Sequence, residues 1–401
     1  MEFITVENAE EIIQSQTRDY GTVSVPYTDS LGRVLAENLF TDRDLPPFNR
    51  ATVDGIAMAY HAYAEGQRTF KISAVQAAGE TPAAIRSASE CIEIMTGAAL
   101  DHSVDTVVRY EDIAVAGGAA TVKGIEIKQR QNVHFRGKDK KEGDAVADAG
   151  WFITPALIGL AASIGKTALM VKQLPKVVII TTGDELVNVE ENPTPYQLRR
   201  SNDVTIQSVL AHYGIRADKL HVNDDYDTIK DTLQHCLQSY DVLLLTGGVS
   251  MGKFDHIPQA MEHLGVKKLF HKVRQRPGKP FWFGTYCNQQ LVFAFPGNPV
   301  SVFMCLHRYF IPWLERSLGI ETSSPQHAVL QHDMDFPYPL QYFAQVKLAI
   351  NHQGVLTARA VETNGSGDFS NLIHTDAFME LPLERNTFKK GEVYKVWPYN
   401  V

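Results

Sequence analysis

The chain has 401 residues, 44% of them hydrophobic and 21% charged, with a formal net charge of −8. At roughly 100–200 residues per domain, this length predicts two to four domains with ample material for cores. The acidic balance argues against general attraction to nucleic acid or an anionic membrane, and leaves room for a local basic pocket that takes a phosphorylated small molecule.

The opening segment, MEFITVENAEEII, is acidic and has no basic stretch ahead of an apolar one, so it does not read as a signal peptide. The longest apolar runs, at 155–164 and 242–249, are far too short to span a membrane. Cys91, Cys236, Cys287 and Cys305 lie far apart and form no CxxC pair, which points away from a disulfide framework or a cysteine zinc site and towards a reducing cytoplasm, each thiol serving as a buried small hydrophobe.

In chain order, residues 1–40 predict a mostly polar helix followed by the segment YTDSLGRVLAENL. Over 45–145, short β-like runs (FKISAV, CIEIMTG, DTVVRYEDI, ATVKGIEI) are separated by glycine and alanine turns. A helix at TPALIGLAASIG leads to the block 175–320, where apolar strands KVVIITTG, IRADKLHV, DVLLLTGG and LVFAFPGN alternate with amphipathic helices. The helix SNDVTIQSVLAHYG has Ser201 or Asn202 as its cap and Gly214 as its stop. This alternation predicts a parallel sheet covered on both faces. The last segments, QYFAQVKLAI, VLTARAVE, AFMELPL and EVYKVWPYN, alternate apolar and polar positions and predict a small barrel or sandwich.

In open parallel sheets, ligands sit beyond the carboxyl ends of the strands. Three segments fall there. TTGDEL (181–186) offers a tight turn and two carboxylates. LTGGVSMG (245–252) brings Gly247, Gly248 and the Ser250 hydroxyl to a turn whose N–H groups suit an oxyanion, with Asp255 close behind to hold a cation. PGNPVS (296–301) opens a helix, with Asn298 at the N-cap and Pro299 at the first helical position, a natural anion site. Just upstream, RQRPGKP (274–280) stiffens Arg274, Arg276 and Lys279 with two prolines, as a pyrophosphate or oxyanion site requires. Three earlier strings also stand out, PPFNRATVDG (46–55) with Asp54, the pair Thr96-Gly97 at the end of a strand-like run, and RGKD (136–139) with Asp139; their spacing alone assigns them no role.

Taken in order, PPFNRATVDGIAM, MTGA, NVHFRGKDKKEGD, TTGDELV, SNDVTIQSVL, LLLTGGVSMGKFDHI, RPGKP, PGNPVS and NGSGDFSNLIHTDAFMELP make the chain resemble the MoeA-type molybdopterin molybdenumtransferases, a family that includes the C-terminal part of gephyrin. It departs from the family at Ile56, where tyrosine is frequent, at Leu100-Asp101-His102, in place of a proline-containing turn, and at Arg276, where lysine is also common.

The resemblance implies a multi-domain α/β protein in four parts. These are an elongated discontinuous helical domain from 1–44 and 145–174, a β-rich inserted domain at 45–144, a three-layer α/β molybdopterin-binding domain at 175–322, and a C-terminal β-barrel at 323–401. It implies a cytoplasmic homodimer that inserts molybdate into adenylylated molybdopterin with release of AMP, assisted by magnesium, with an adenylyltransferase as a partner that supplies the substrate. Asp54, Asp139, Glu185 and Asp255 would be the working acids, with Glu185, Asp255 and Asp54 as metal ligands. Thr96, Asp224, Asp225, Gly247, Gly248, Ser250, Arg274, Arg276, Lys279, Pro296, Gly297, Asn298, Pro299 and Ser301 would bind substrate. A tungstate-inserting paralogue and a non-catalytic molybdopterin-binding scaffold are the alternatives. A lone adenylyltransferase would be a single domain of about 150–190 residues, against which the long flanking regions argue.

Overall fold

The structure is a computed structural model and describes residues 3–249, 255–320 and 325–399. The chain divides into two compact units, one of residues 1–36, 150–154 and 169–401 and the other of 37–149 and 155–168. Among the described residues, no helix is long and apolar enough to cross a membrane.

The first unit is built on a six-stranded sheet among the described residues, in the order Asp218–Val222, Val177–Thr182, Val242–Thr246, Gln290–Phe295, Trp282–Tyr286, Lys267–His271. The first four strands pair in parallel, and the last two are antiparallel. The two antiparallel strands at this end of the sheet are additions to the all-parallel sheet expected from the sequence. Strand residues alternate between two cores. Val177, Ile179, Val242, Leu244, Leu291 and Phe293 pack on one face, with helices Asn202–Ala211 and Pro299–Cys305. Val178, Ile180, Leu243, Leu245, Val292 and Ala294 pack on the other, with Tyr226–Ser239 and Ile257–His263. That double burial is why these strands read as continuous apolar runs.

The helix from Pro299 widens into a π turn over Leu306–Phe310 before continuing as Ile311–Ser317. Pro312 has no N–H to offer, and its ring would crowd the carbonyl of Arg308, four residues back, in a regular α-turn; the widened turn relieves that conflict. Within the same unit, five strands close into a barrel: Gln341–Ile350, Leu356–Ala360, Gln326–Leu330, Val393–Pro398 and Ala377–Leu381, which returns to Gln341–Ile350. Ala328, Leu330, Ala344, Val346, Met379 and Val396 fill it. The short strand Gln275–Arg276 pairs in parallel with Gln341 and Tyr342, tying the basic loop to the barrel wall. The chain start is tied in by Val34 and Leu35, which bridge Phe152 and Val171. Helix Val6–Gln14 buries Val6, Ala9 and Ile13.

The second unit contains a six-stranded sheet among its described residues, in the order Thr106–Arg109, Gly55–Met58, Glu90–Ile94, Thr69–Gln76, Ala119–Val122, Ile113–Ala116. Cys91, Cys236 and Cys305 are buried, as expected of small hydrophobes, whereas Cys287 is exposed in a tight turn at φ +49°.

Candidate functional site

In the first unit, the ends of adjacent parallel strands place the glycine turns side by side. A Cβ on Gly247 would come within 2.7 Å of the Thr182 carbonyl, and one on Gly248 within 2.9 Å of Thr182 Oγ1. Both glycines have positive φ, +91° and +60°, so close approach and backbone conformation both demand glycine here. Thr182 Oγ1 is buried without a hydrogen-bond partner beside this turn. Ser250 lies outside the described residues.

The acids gather on the neighbouring loops. Glu185 folds back over Gly183, where a Cβ would meet its Oε2 at 2.6 Å. Asp184 accepts a hydrogen bond from the Asp224 backbone N–H at 3.1 Å. Burial, and then the charges of Asp184 and Glu185, raise the proton affinity of the Asp224 carboxyl. Asp225 is engaged otherwise. It caps helix Tyr226–Ser239, accepting from Thr228 N at 2.9 Å and Thr228 Oγ1 at 2.6 Å. The geometry thus separates two acids that the sequence left equivalent. Asp255 lies near enough to His271 for its charge to act on that imidazole, which donates to the Val249 carbonyl at 2.9 Å.

The basic loop is fixed from inside. Gln275 donates to the Gly278 carbonyl at 2.9 Å and accepts from the buried Tyr309 hydroxyl. Gly278 sits at φ +86°, and a Cβ there would fall 2.7 Å from Cys305 Sγ. Arg276 lies over the Tyr338 ring at 4.9 Å, and the Lys279 ammonium over Phe3 at 4.8 Å. This loop and the helix start at 296–301 line one cavity of about 670 Å³. Of the predicted residues, Arg276, Lys279, Pro296, Asn298 and Ser301 line it; Arg274, Gly297 and Pro299 are not among its lining. Asn298 stands at the N-cap position, but its amide donates to Ser366 Oγ at 2.9 Å and makes no capping bond. A contact from the barrel side takes the side chain that the sequence assigned to the cap.

Several lining residues escaped the sequence reading. Phe336, Tyr338 and Tyr342 form an aromatic wall, with Phe336 and Tyr342 stacked at 4.2 Å. Gln345, 4% exposed, also lines the cavity and leaves Oε1 without a partner. Asn202, read only as a possible cap, donates to the Gly297 carbonyl at 2.8 Å and so links two loops of the site.

In the second unit, Asp54 Oδ1 accepts from both Thr96 N at 2.6 Å and Thr96 Oγ1 at 2.7 Å, and these bonds hold its carboxyl below the usual range. Asp139 pairs with His134 at 2.9 Å. The loop carrying it is stitched to the proline-rich string, with Gly137 N bonding to Pro46 O, Asp139 N to Leu45 O, and Arg136 Nε to Asp44 at 2.5 Å. Distant strings of sequence therefore meet within this unit.

Among the described residues, no three Asp, Glu, His or Cys side chains are grouped as a ready-made metal site. Magnesium is commonly held by only one or two carboxylates together with ligand phosphates. The crowding of negative charge at Asp184, Glu185 and Asp224 fits an ion completed by a phosphorylated ligand.

Family comparisons agree with this architecture. Residues 178–316 match a probable molybdopterin-binding domain, so the class is a multi-domain protein built around that module. Residues 4–165 match the MoeA N-terminal region (domains I and II), and 327–399 the MoeA C-terminal region (domain IV). A Synechocystis protein named molybdopterin molybdenumtransferase is 37% identical over 401 residues, covering 99% of this chain and 100% of that one. A Bacillus subtilis protein of the same name is 29% identical over 397 residues, covering 94% and 92%. A crystal structure titled as the molybdopterin biosynthesis MoeA protein of Pyrococcus horikosii superposes with a TM-score of 0.81 at 26% identity, covering 99% of both chains. The chain belongs to the MoeA family of molybdenum cofactor biosynthesis.

Proposed function

We propose that the chain is a molybdopterin molybdenumtransferase that inserts molybdate into adenylylated molybdopterin and releases AMP. The observation that carries this reading is the cavity in which Arg276 and Lys279 meet Asn298 and Ser301, in a chain whose relatives bear that name over their full length. Two fixed cations and neutral donors suit a tetrahedral dianion. Arg274, outside the lining, adds long-range positive charge.

The Gly247-Gly248 turn, with Ser250, would cradle phosphate through its N–H groups. Gly297 and Pro299 would set the backbone of the helix start beside it. Asp224, facing Asp184 and Glu185, is the better candidate for contact with ligand than Asp225, whose carboxylate caps a helix. Magnesium, when bound, would neutralise phosphate charge and polarise the anhydride, and Glu185 and Asp255 would hold it. Asp139 would orient water or a phosphate oxygen, and Thr96 would fix Asp54. In the overall change the two dithiolene thiols bond to molybdenum as one molybdate oxygen leaves with their protons as water, and water adds across the phosphoanhydride so that AMP departs.

We further propose a cytoplasmic homodimer that receives its substrate from an adenylyltransferase. The four-part division at 1–44 with 145–174, 45–144, 175–322 and 323–401 is proposed with it, supported by the closed barrel and by the bridges from Val34 and Leu35. The test is AMP release from adenylylated molybdopterin with and without molybdate and magnesium, beside Glu185→Ala. Molybdate-dependent release that is lost in the variant is the expected result. Tight binding without release under molybdate or tungstate would instead establish a carrier, and release driven by tungstate alone a tungstate-inserting paralogue.

A further inference from the structure

We infer that His134 is a positioning residue that orients Asp139 through a proton fixed on Nε2, with Arg50 fixing that proton; the inference rests on the proposed reaction. The short antiparallel pair formed by Val133–His134 and Arg50–Ala51 sets His134 directly opposite Arg50. Directly opposed residues of an antiparallel pair present their side chains on the same face. Arg50 Nη2 lies 3.4 Å from His134 Nδ1, and His134 Nε2 lies 2.9 Å from Asp139 Oδ1.

A guanidinium has only donors, so Nδ1 must accept. The ring proton then sits on Nε2, where it donates to the carboxylate. Arg50 thus selects the one neutral tautomer that can hold Asp139. The backbone of Asp139 is already anchored to Leu45. Its side chain is 56% exposed and would turn freely without the bond from His134, which is itself only 23% exposed. Tying Oδ1 leaves Oδ2 to act on water or ligand. Strand register, two polar contacts and donor chemistry all point the same way, and none of them is needed to stabilise a core.

Glutamine provides the discriminating substitution, because it offers an acceptor towards Arg50 and a donor towards Asp139 with the same polarity. In the AMP-release assay, His134→Ala should lower kcat roughly ten-fold with KM little changed, the usual scale for losing a residue that orients a working group. His134→Gln should restore most of it. In an Asp139→Ala background, His134→Ala should add no further loss, since a residue acting through Asp139 has nothing left to orient. At alkaline pH, where the imidazole is neutral, its nitrogen-15 NMR signals, assigned by their loss in His134→Gln, should show the Nε2–H tautomer, and Arg50→Leu should release that preference.

Full kcat in His134→Ala, equal loss in the Ala and Gln variants, additive loss in the double variant, or a proton on Nδ1 would each overturn the inference. A native chain that turns over normally alongside any of these results leaves the proposed function standing. A native chain that releases no AMP overturns the proposed function and this role together, even if the NMR tautomer is as expected.

Discussion

Replacing Arg308 by methionine should destabilise the first unit strongly. Arg308 sits in the π turn with its side chain 1% exposed. Its Nη2 reaches Glu10 Oε2 at 2.6 Å, and its Nε lies 3.2 Å from Glu380 Oε2, within ion-pair range but off the line of a hydrogen bond. The guanidinium also lies over the Trp397 ring at 4.3 Å. Glu380 is itself 7% exposed and accepts from Gln341 and Trp397, at 2.5 and 2.7 Å. Removing the arginine strands that carboxylate with two neutral donors and no counter-charge. Breaking a buried pair in this way costs about 3–5 kcal/mol, whereas removing both charges together is far milder. Arg308→Met should therefore lose about that much in equilibrium urea unfolding followed by tryptophan fluorescence. Adding Glu380→Gln should recover more than half of the loss. A single-variant loss below about 1 kcal/mol, or two losses that simply add, would refute the reasoning.

Other outcomes follow from the site. Gly278→Ala, with its Cβ 2.7 Å from Cys305 Sγ and φ at +86°, should displace the basic loop and weaken molybdate binding measured by calorimetry at least several-fold. Asp225→Ala should lower the melting temperature while sparing AMP release, because its carboxylate caps a helix; Asp224→Ala should do the reverse. Glu392, held by the Arg385 fork, the Tyr394 hydroxyl and the Lys389 N–H, has its carboxyl pulled down to about 2 from 4.5. A carboxylate depressed in the folded state adds stability above its unfolded pKa and loses it as pH falls through the folded one. Glu392→Gln should therefore flatten the fall in barrel stability between about pH 4.5 and 2, measured by thermal unfolding.

The parallel strands were legible because burial on both faces leaves them uniformly apolar, and the glycine turns because tight approach leaves no room for side chains. The antiparallel strands Lys267–His271 and Trp282–Tyr286 were not. FWFGTY carries no alternation, and although it pairs with Gln290–Phe295 only a short turn away, CNQ holds no glycine to mark that turn. The basic loop was visible as a cluster of charge between prolines. Its clamp by Gln275 and Tyr309 was not, since a glutamine in a strand and a tyrosine in a helix announce no partnership. The same holds for Gln345 and Ser366, which enter the cavity only because the barrel folds against the loop. Asp224 and Asp225 became distinguishable once the helix start was known. The acids at 54 and 139 were singled out only through the family resemblance, whereas the tautomer logic at His134 required knowing that Arg50 sits opposite.

Gly247 and Gly297 stand back to back, with a Cβ on Gly297 falling only 3.7 Å from the Gly247 Cα, and Asn202 fastens the second of these turns by its carbonyl. The two turns therefore share a single partition one backbone thick. Neither can be recut to suit a bulkier or differently charged ligand without moving the other. Any redesign of specificity at these strand ends must work from the exposed side of the cavity, through positions such as Arg276 or Tyr338, while the partition itself stays as it is.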